Sequence, residues 1–395
     1  MILLDHPYTS DFLKDTIIQF QIPVVATSQA KEILGNVNAN WLSEEDAAER
    51  IKNNPETKVY TNSENSIAWI EKHTQGTGLP EKIAIFKNKY RFRKLIQEAY
   101  PDYFFRKAQL EELENLDITD FQFPFIIKPI VGFFSIGVYS VNKVSDWPLV
   151  VSKIKSEINK TKELYPIEVV DNTEFILEAY LNGEEYAFDC YFDDNGKPVL
   201  LNVLHHVFKT SEDVSDRLYS SSEEILRTME APIMEFLDLI GSKVNLKNFP
   251  LHIEYRMNEN GKLYPIEVNP MRFGGWCTTA DLTWFSYGIN SYLHFFNSLK
   301  PDWNQIFSSR KNKKYSLILL DNQSGIPFEQ IAYFDFEQLA ADFENPLHVR
   351  KVNMEKYGVF GFLFTETSKG NEAELNAILH SNLKKYLKLI PESMA

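Results

Sequence analysis

LHIEYRMNENGKLYPIEVNPMRFGGW, residues 251–276, is the stretch on which the fold turns. Alternating apolar and polar residues flank Asn260-Gly261, a pair favoured at two-residue hairpin turns, so the segment is expected to be a β-hairpin. A turn at that pair sets Glu254 opposite Glu267 and His252 opposite Asn269, and strand alternation puts all four on one face. A four-residue turn shifts the pairing by two and keeps that face. Carboxylates directly opposite one another repel unless something positive bridges them. The all-oxygen set Glu254, Glu267 and Asn269 therefore asks for a hard ion, Mg²⁺ with Mn²⁺ as the alternative, that keeps positions open for nucleotide phosphates. His252 is expected to hydrogen-bond or pack, since hard ions prefer oxygen. The plainer reading of the hairpin is an exposed edge with a polar face.

Upstream, FPFIIKPIVGFFSIGVYSV (123–141) reads as two strands joined by a loop. The first strand delivers Lys128, and the loop carries Gly132, Ser135 and Gly137. Glycines let a backbone approach a ligand closely, while exposed N–H groups and a lysine suit phosphate oxygens. A plain glycine hairpin is the alternative. Between these segments lies TEFILEAYLNGEEYAFDCYF (173–192), read as strand, turn at Asn182-Gly183, strand. Glu178 ends the first strand, and Glu185 just past the turn is the candidate for ribose hydroxyls. A solvated hairpin is again the bland reading. Lys87, Lys89, Arg91, Arg93 and Lys94 form the one conspicuous cationic cluster, either a solvated helix face or a source of triphosphate contacts.

Bulk properties narrow the classes. A chain of 395 residues exceeds one ordinary core, so several domains are expected. Residues 1–85 read as a small α/β layer with strands near 22–27 and 58–61, and lack the glycine turn of a dinucleotide site. The stretch 74–82 reads as a linker, 86–300 holds the motifs, and 301–395 is a third section with strands near 315–320 and 359–366 and a closing helix near 371–388. Residues 282–299 read as one buried helix. A net charge of −14 disfavours nucleic acid and anionic membranes. No apolar run reaches the roughly 18 residues a membrane helix needs, and the N-terminus lacks a signal pattern. With only two cysteines, Cys190 and Cys277, the expected location is the cytoplasm. Both cysteines are expected to be packing residues.

Taken together and in this order, the four segments resemble the ATP-grasp superfamily, in particular its carboxylate–amine ligase branch. The resemblance covers roughly 1–300. It implies an α/β and α+β protein: an ATP-grasp domain at 86–300 whose two lobes clamp ATP, an N-terminal Rossmann-like domain at 1–85, and a C-terminal α/β extension at 301–395. Lys89 and Lys128 are similar to the nucleotide lysines, and Gly132, Ser135 and Gly137 to the mobile phosphate loop. Glu178, Ala179, Tyr180 and Glu185 match the hinge that holds adenine and ribose, and Glu254, Glu267 and Asn269 the Mg²⁺ strand pair. Where many members read Asn-Pro-Arg, Met271 intervenes here and the arginine is Arg272, which is expected to clamp a substrate carboxylate or acyl phosphate.

The implied activity is ligation of a small carboxylate to an amine or thiol through an acyl phosphate, with amino acids among the substrates and Lys128 and Arg272 in catalytic roles. Substrate contacts are expected from 205–222, 272–281 and the N-terminal domain, and a homodimer is compatible with the reading. Two rivals remain: a nucleotide-binding regulatory protein without turnover, and a carboxylase or phosphoryl-transfer relative.

Overall fold

The computed structural model describes residues 1–131, 137–162, 174–210, 213 and 215–391. Short parallel strands β1 (Ile2–Leu3), β2 (Val24–Val25), β3 (Trp41–Leu42) and β4 (Tyr60–Thr61) form an N-terminal sheet in the order β3-β2-β1-β4. Helices between them start where the sequence offers a hydroxyl cap. Ser10, Thr27 and Ser43 each accept a backbone N–H of the first turn, satisfying a donor that the helix leaves unpaired.

A second sheet, ordered β5-β8-β6-β7, consists of β5 (Phe105–Gln109), β6 (Phe125–Pro129), β7 (Tyr139–Val141) and β8 (Glu174–Ala179). It has its own core around Phe125, Ile127, Phe175 and Leu177. The third and largest sheet starts with β9 (Glu184–Phe192), β10 (Pro198–Leu200), β11 (Leu204–Val207) and β12 (Leu218–Ser222). It continues through β13 (Phe249–Met257), β14 (Leu263–Pro270), β15 (Lys313–Asp321), β17 (Asn345–Lys351) and β18 (Val359–Ser368). Its order is β14-β13-β9-β11-β12-β15-β18-β17, with β10 also on β9. Strands β16 (Ile331–Phe334) and β19 (Leu387–Leu389) pair separately. The fold is thus mixed α/β and α+β, and the strands after residue 301 continue the same sheet that holds the 251–276 hairpin. Among the described residues no helix is long and apolar enough to cross a membrane.

Only Tyr180–Gly183 separates β8 in the second sheet from β9 in the third, so this short connector joins the two layers. Gly183 has φ +128°, and a Cβ there would lie 2.0 Å from the Met257 carbonyl oxygen. Gly183→Ala is therefore expected to cost about 1–3 kcal/mol, the range for a side chain forced into such a conformation, as measured by chemical denaturation. An unchanged midpoint would show that the connector relaxes freely.

The hairpin at 251–276 differs from its sequence reading in an informative way. Its loop has three residues, not two: Asn258 N–H donates to the Lys262 carbonyl, and Gly261 is left-handed at φ +74°. The Asn258 side-chain oxygen, which accepts from the N–H groups of Asn260 and Lys262, selects that longer turn. This offsets the pairing near the loop by one residue, so Tyr255 faces Pro265. A bulge at Ile266 then removes the offset, beside Pro265, which has no N–H to give the ladder. Glu254 pairs with Glu267 and His252 with Asn269 as the sequence suggested, by two compensating irregularities.

Three helical readings also change. Residues 79–82 of the expected linker begin the helix Leu79–Lys87, where Pro80 sits in the first turn that tolerates it. The single helix expected at 282–299 is two, Thr278–Tyr287 and Ser291–Asn297, broken at left-handed Gly288. The closing helix spans only Ala373–Leu379, and the chain then turns back to place β19 against β16.

Candidate active site

Four elements converge on a group of opposed charges. Asn88 caps the helix Lys89–Ile96 by accepting from Arg91 N–H, which places Lys89 at its first position and turns Arg93 inward. Glu178 near the end of β8 is buried and bound by two cations: Lys128 Nζ of β6 at 2.6 Å and Arg93 Nε at 3.0 Å. Burial alone would raise the Glu178 pKa, but Arg93 and Lys128 outweigh it and bring it down to about 2. Arg93 also donates to the Ile266 carbonyl at 2.8 Å, so the β14 bulge aims a backbone oxygen at the site. Its Nη1 is buried without a partner. Lys89 Nζ lies 3.1 Å from Glu267 Oε1. Burial lowers the Lys128 pKa, and the charges of Arg93 and Lys89 add to that direction against the pull of Glu178. Three cations thus crowd around two carboxylates, an excess of positive charge that a chain of phosphates would relieve.

On the far side of the connector, Glu185 accepts from His206 Nδ1 at 2.9 Å and from Arg256 Nε at 3.0 Å. Burial opposes its ionisation, and these partners overcome it, so its pKa is lowered. His206 stacks on Tyr219 with ring centroids 4.1 Å apart, and the Arg256 guanidinium lies over Tyr180 at 6.0 Å. Flat and cationic surfaces therefore border Ala179, Tyr180 and Glu185. Gly137, at φ +75°, closes the loop after β6, while Gly132 and Ser135 lie outside the described residues.

The hairpin face joins this group to a cleft. His252 Nδ1 bonds the wholly buried Asp189 at 2.8 Å and its Nε2 lies 3.6 Å from Glu254 Oε1. Burial would lower the His252 pKa, but the hydrogen bonds to Asp189 and Glu254 raise it to about 9. Asp189 also accepts from Gly274 N–H and from the Thr279 and Asn202 side chains, fixing the turn that carries Arg272. Arg272 Nη2 meets Glu64 of the N-terminal layer at 3.0 Å, and Lys87 pairs with the same glutamate. His252, Glu254 and Arg272 line a cleft of about 360 Å³ together with Asp216, Tyr219, Gly275, Trp276, Thr278 and Thr279, and residues of strands β15 and β18 complete its lining. Of the three regions expected to supply substrate contacts, 205–222 and 272–281 border this cleft, whereas none of its lining residues comes from 1–85.

A metal ion has to be judged by the donors present. Among the described residues no three His, Cys, Asp or Glu side chains are arranged to hold one. Glu254 and Glu267, paired across the strands, with Asn269 two residues along the same strand, offer the all-oxygen set of a hard ion with open positions, and Glu267 already attracts an ammonium. The donor chemistry fits. Cys190 and Cys277 are buried and their thiols pushed up by burial, so neither is a poised nucleophile.

A family profile described as the ATP-grasp domain matches residues 121–280. The chain carries an ATP-grasp domain. Solved structures similar to this chain include the L-amino acid ligase from Bacillus licheniformis, at 18% identity and TM-score 0.67 with 98% of each chain covered. N5-carboxyaminoimidazole ribonucleotide synthetase from Thermotoga maritima aligns at 13% identity and TM-score 0.63 over 99% of each chain. A biotin carboxylase–ATP analogue complex from Campylobacter jejuni aligns at 14% identity and TM-score 0.63, covering 98% of this chain and 91% of that one. At these identities the likeness concerns the fold. No curated protein sequence matches.

Sequence reading passed over several residues of this candidate site. Arg93 was one of five cations with nothing to single it out, and its inward turn follows from the helix phase that Asn88 sets. Asp189 carried a usable signal, an acid in the otherwise apolar run YAFDCYF. His206, Arg256 and Glu64 act across strands or layers and left no local mark.

Proposed function

We propose that this protein is an ATP- and Mg²⁺-dependent ligase that joins a small carboxylic acid to an amine, with residues 1–85, 86–300 and 301–395 as its substrate-binding, ATP-clamping and C-terminal units. The observation that carries this reading is the adjacency of the Lys89–Lys128–Arg93 cluster to the cleft bordered by Arg272, with the Glu254–Glu267 pair between them. Lys89 and Lys128 neutralise the triphosphate, and the Ala179–Tyr180 backbone and Glu185 hold adenine and ribose. Glu254, Glu267 and Asn269 hold Mg²⁺, with Mn²⁺ as a substitute. The ion supplies charge neutralisation at the transferring phosphoryl group. A carboxylate oxygen of the acid, gripped by Arg272, attacks the γ-phosphorus and the bond to ADP breaks. The amine nitrogen then attacks the acyl carbon, phosphate leaves, and an amide forms. Positioning and charge do most of this work, so no covalent enzyme intermediate is required.

Pairwise screening of amino acids and small acids with amines for ADP release tests the reading. ADP release that needs both partners supports it, whereas release driven by bicarbonate alone would assign carboxylation, and none at all would leave a nucleotide-binding protein. Arg272→Lys is expected to lower ligation on the order of ten- to a hundredfold, as a charged two-point hydrogen bond worth about 1.5–3 kcal/mol is lost. ATP affinity should not move, because the lysine retains a charge for Glu64 and the nucleotide contacts lie elsewhere. A parallel fall in ATP affinity, or an intact rate, would remove Arg272 from the substrate clamp.

A further inference from the structure

The C-terminal strands reach the cleft, and their chemistry there is unlike that of the hairpin. Leu317 and Leu319 of β15 and Val359 and Phe362 of β18 line it together with His252, Glu254 and Arg272. Leu317 and Leu319 are two apart and share a strand face. Leu319 and Phe362 are directly paired between β15 and β18, and Phe362 is in turn paired with Arg350 of β17. The wall is thus a row across three adjacent strands rather than a loop.

The row is clamped at its β17 end. The Arg350 guanidinium lies 5.2 Å from the Phe362 ring centre, donates to the Trp276 carbonyl at 2.7 Å and pairs with the buried Asp281. Asp281 also accepts from Ser10 Oγ at 3.0 Å, so all three sections of the chain hold this wall in place. A ligand in the cleft therefore meets both a guanidinium with carboxylates and a preformed apolar surface. The volume of about 360 Å³ is near the low end of ligand pockets, which run roughly 300–1,000 Å³.

We infer that the acid bound here is an α-amino acid with an apolar side chain, and that Leu319, beside Phe362, sets the size of side chain accepted. The inference rests on the reading of this cleft as the acid site. Arg272 meets the carboxylate, Asp216, the lining acid outside the Mg²⁺ set, suits the ammonium, and the side chain lies against β15 and β18. The β15–β18 wall, whose strands lie in the section beyond residue 301, is thereby a specificity element.

Calorimetric titration of alanine, valine, leucine, phenylalanine, aspartate and lysine, in the presence of Mg²⁺ and a non-hydrolysable ATP analogue, tests this without needing turnover. The parent protein should bind one apolar amino acid best, with aspartate and lysine at least about tenfold weaker, the scale set by mismatched side chains in a pocket. Leu319→Ala should move the optimum to a larger side chain and Leu319→Phe to a smaller one. The second variant removes no core volume and guards against a folding defect in the first. An optimum that stays put in both variants, equal binding of aspartate or lysine, or no binding of any of the six overturns the inference. A normal ladder of affinities with no ADP release would instead overturn the ligase reading and leave this one standing, while ADP release with a flat ladder would do the reverse.

Discussion

Glu267→Gln is expected to remove ATP turnover while leaving the fold intact. The glutamine keeps the shape and one oxygen but not the charge that, with Glu254 opposite, would hold a divalent ion. Loss of that ion withdraws several kcal/mol of transition-state stabilisation, a fall on the order of a thousandfold in rate. Stability should change little. The Lys89–Glu267 pair is partly open to solvent, with the carboxylate side chain 34% exposed, and such pairs contribute at most about 1 kcal/mol. Relief of repulsion from Glu254 acts in the opposite direction. ADP release at saturating ATP and Mg²⁺, together with a thermal melt, reads both quantities. Undiminished release would show that Glu267 is not a metal ligand.

The Glu254–Glu267 pairing was legible because its information is local. Glu254 and Glu267 lie within one hairpin, and strand alternation alone brings them to one face. The turn was misread by one residue and the face survived only because the Ile266 bulge restores the register. Sequence alone does not reveal such compensation, since Asn258 capping its own loop and Pro265 interrupting the ladder act independently. The same bulge presents the Ile266 carbonyl to Arg93, so an irregularity that looks like a packing detail is part of the site.

What was not legible depends on contacts between elements far apart in the chain. Arg272 was expected to clamp a substrate carboxylate or acyl phosphate, and it does border the cleft, but its partner Glu64 is 208 positions away in the N-terminal layer. The C-terminal section gave no functional signal, because Leu317, Leu319, Val359 and Phe362 read only as strand interiors. They line the cleft because β15 joins β12 and so extends the sheet that also holds the hairpin. Gly288 shows the opposite case, where one left-handed residue overrides an apolar run that otherwise suits a single helix.

Glu178→Gln should damage the fold more than any change at the metal face. Glu178 is 3% exposed and is the shared partner of Arg93 and Lys128, whose side chains are 1% and 8% exposed. An amide accepts hydrogen bonds but cannot offset two buried positive charges. Breaking a buried pair from one side costs about 3–5 kcal/mol, and chemical denaturation should record a loss of that size. Lys128→Met provides the contrast: Arg93 and Glu178 remain paired, so stability should fall less, while ATP affinity weakens by about 1.5–3 kcal/mol. The acid limb separates the two causes further. With its folded pKa depressed to about 2, Glu178 contributes stability that is fully present above the ordinary carboxylate value near 4.5 and is lost as pH falls towards 2. The parent should therefore lose stability across that window more steeply than Glu178→Gln. Equal slopes, or a glutamine variant as stable as the parent at neutral pH, would mean that the two cations do not depend on this carboxylate. The hinge acid would then be free to serve the nucleotide alone.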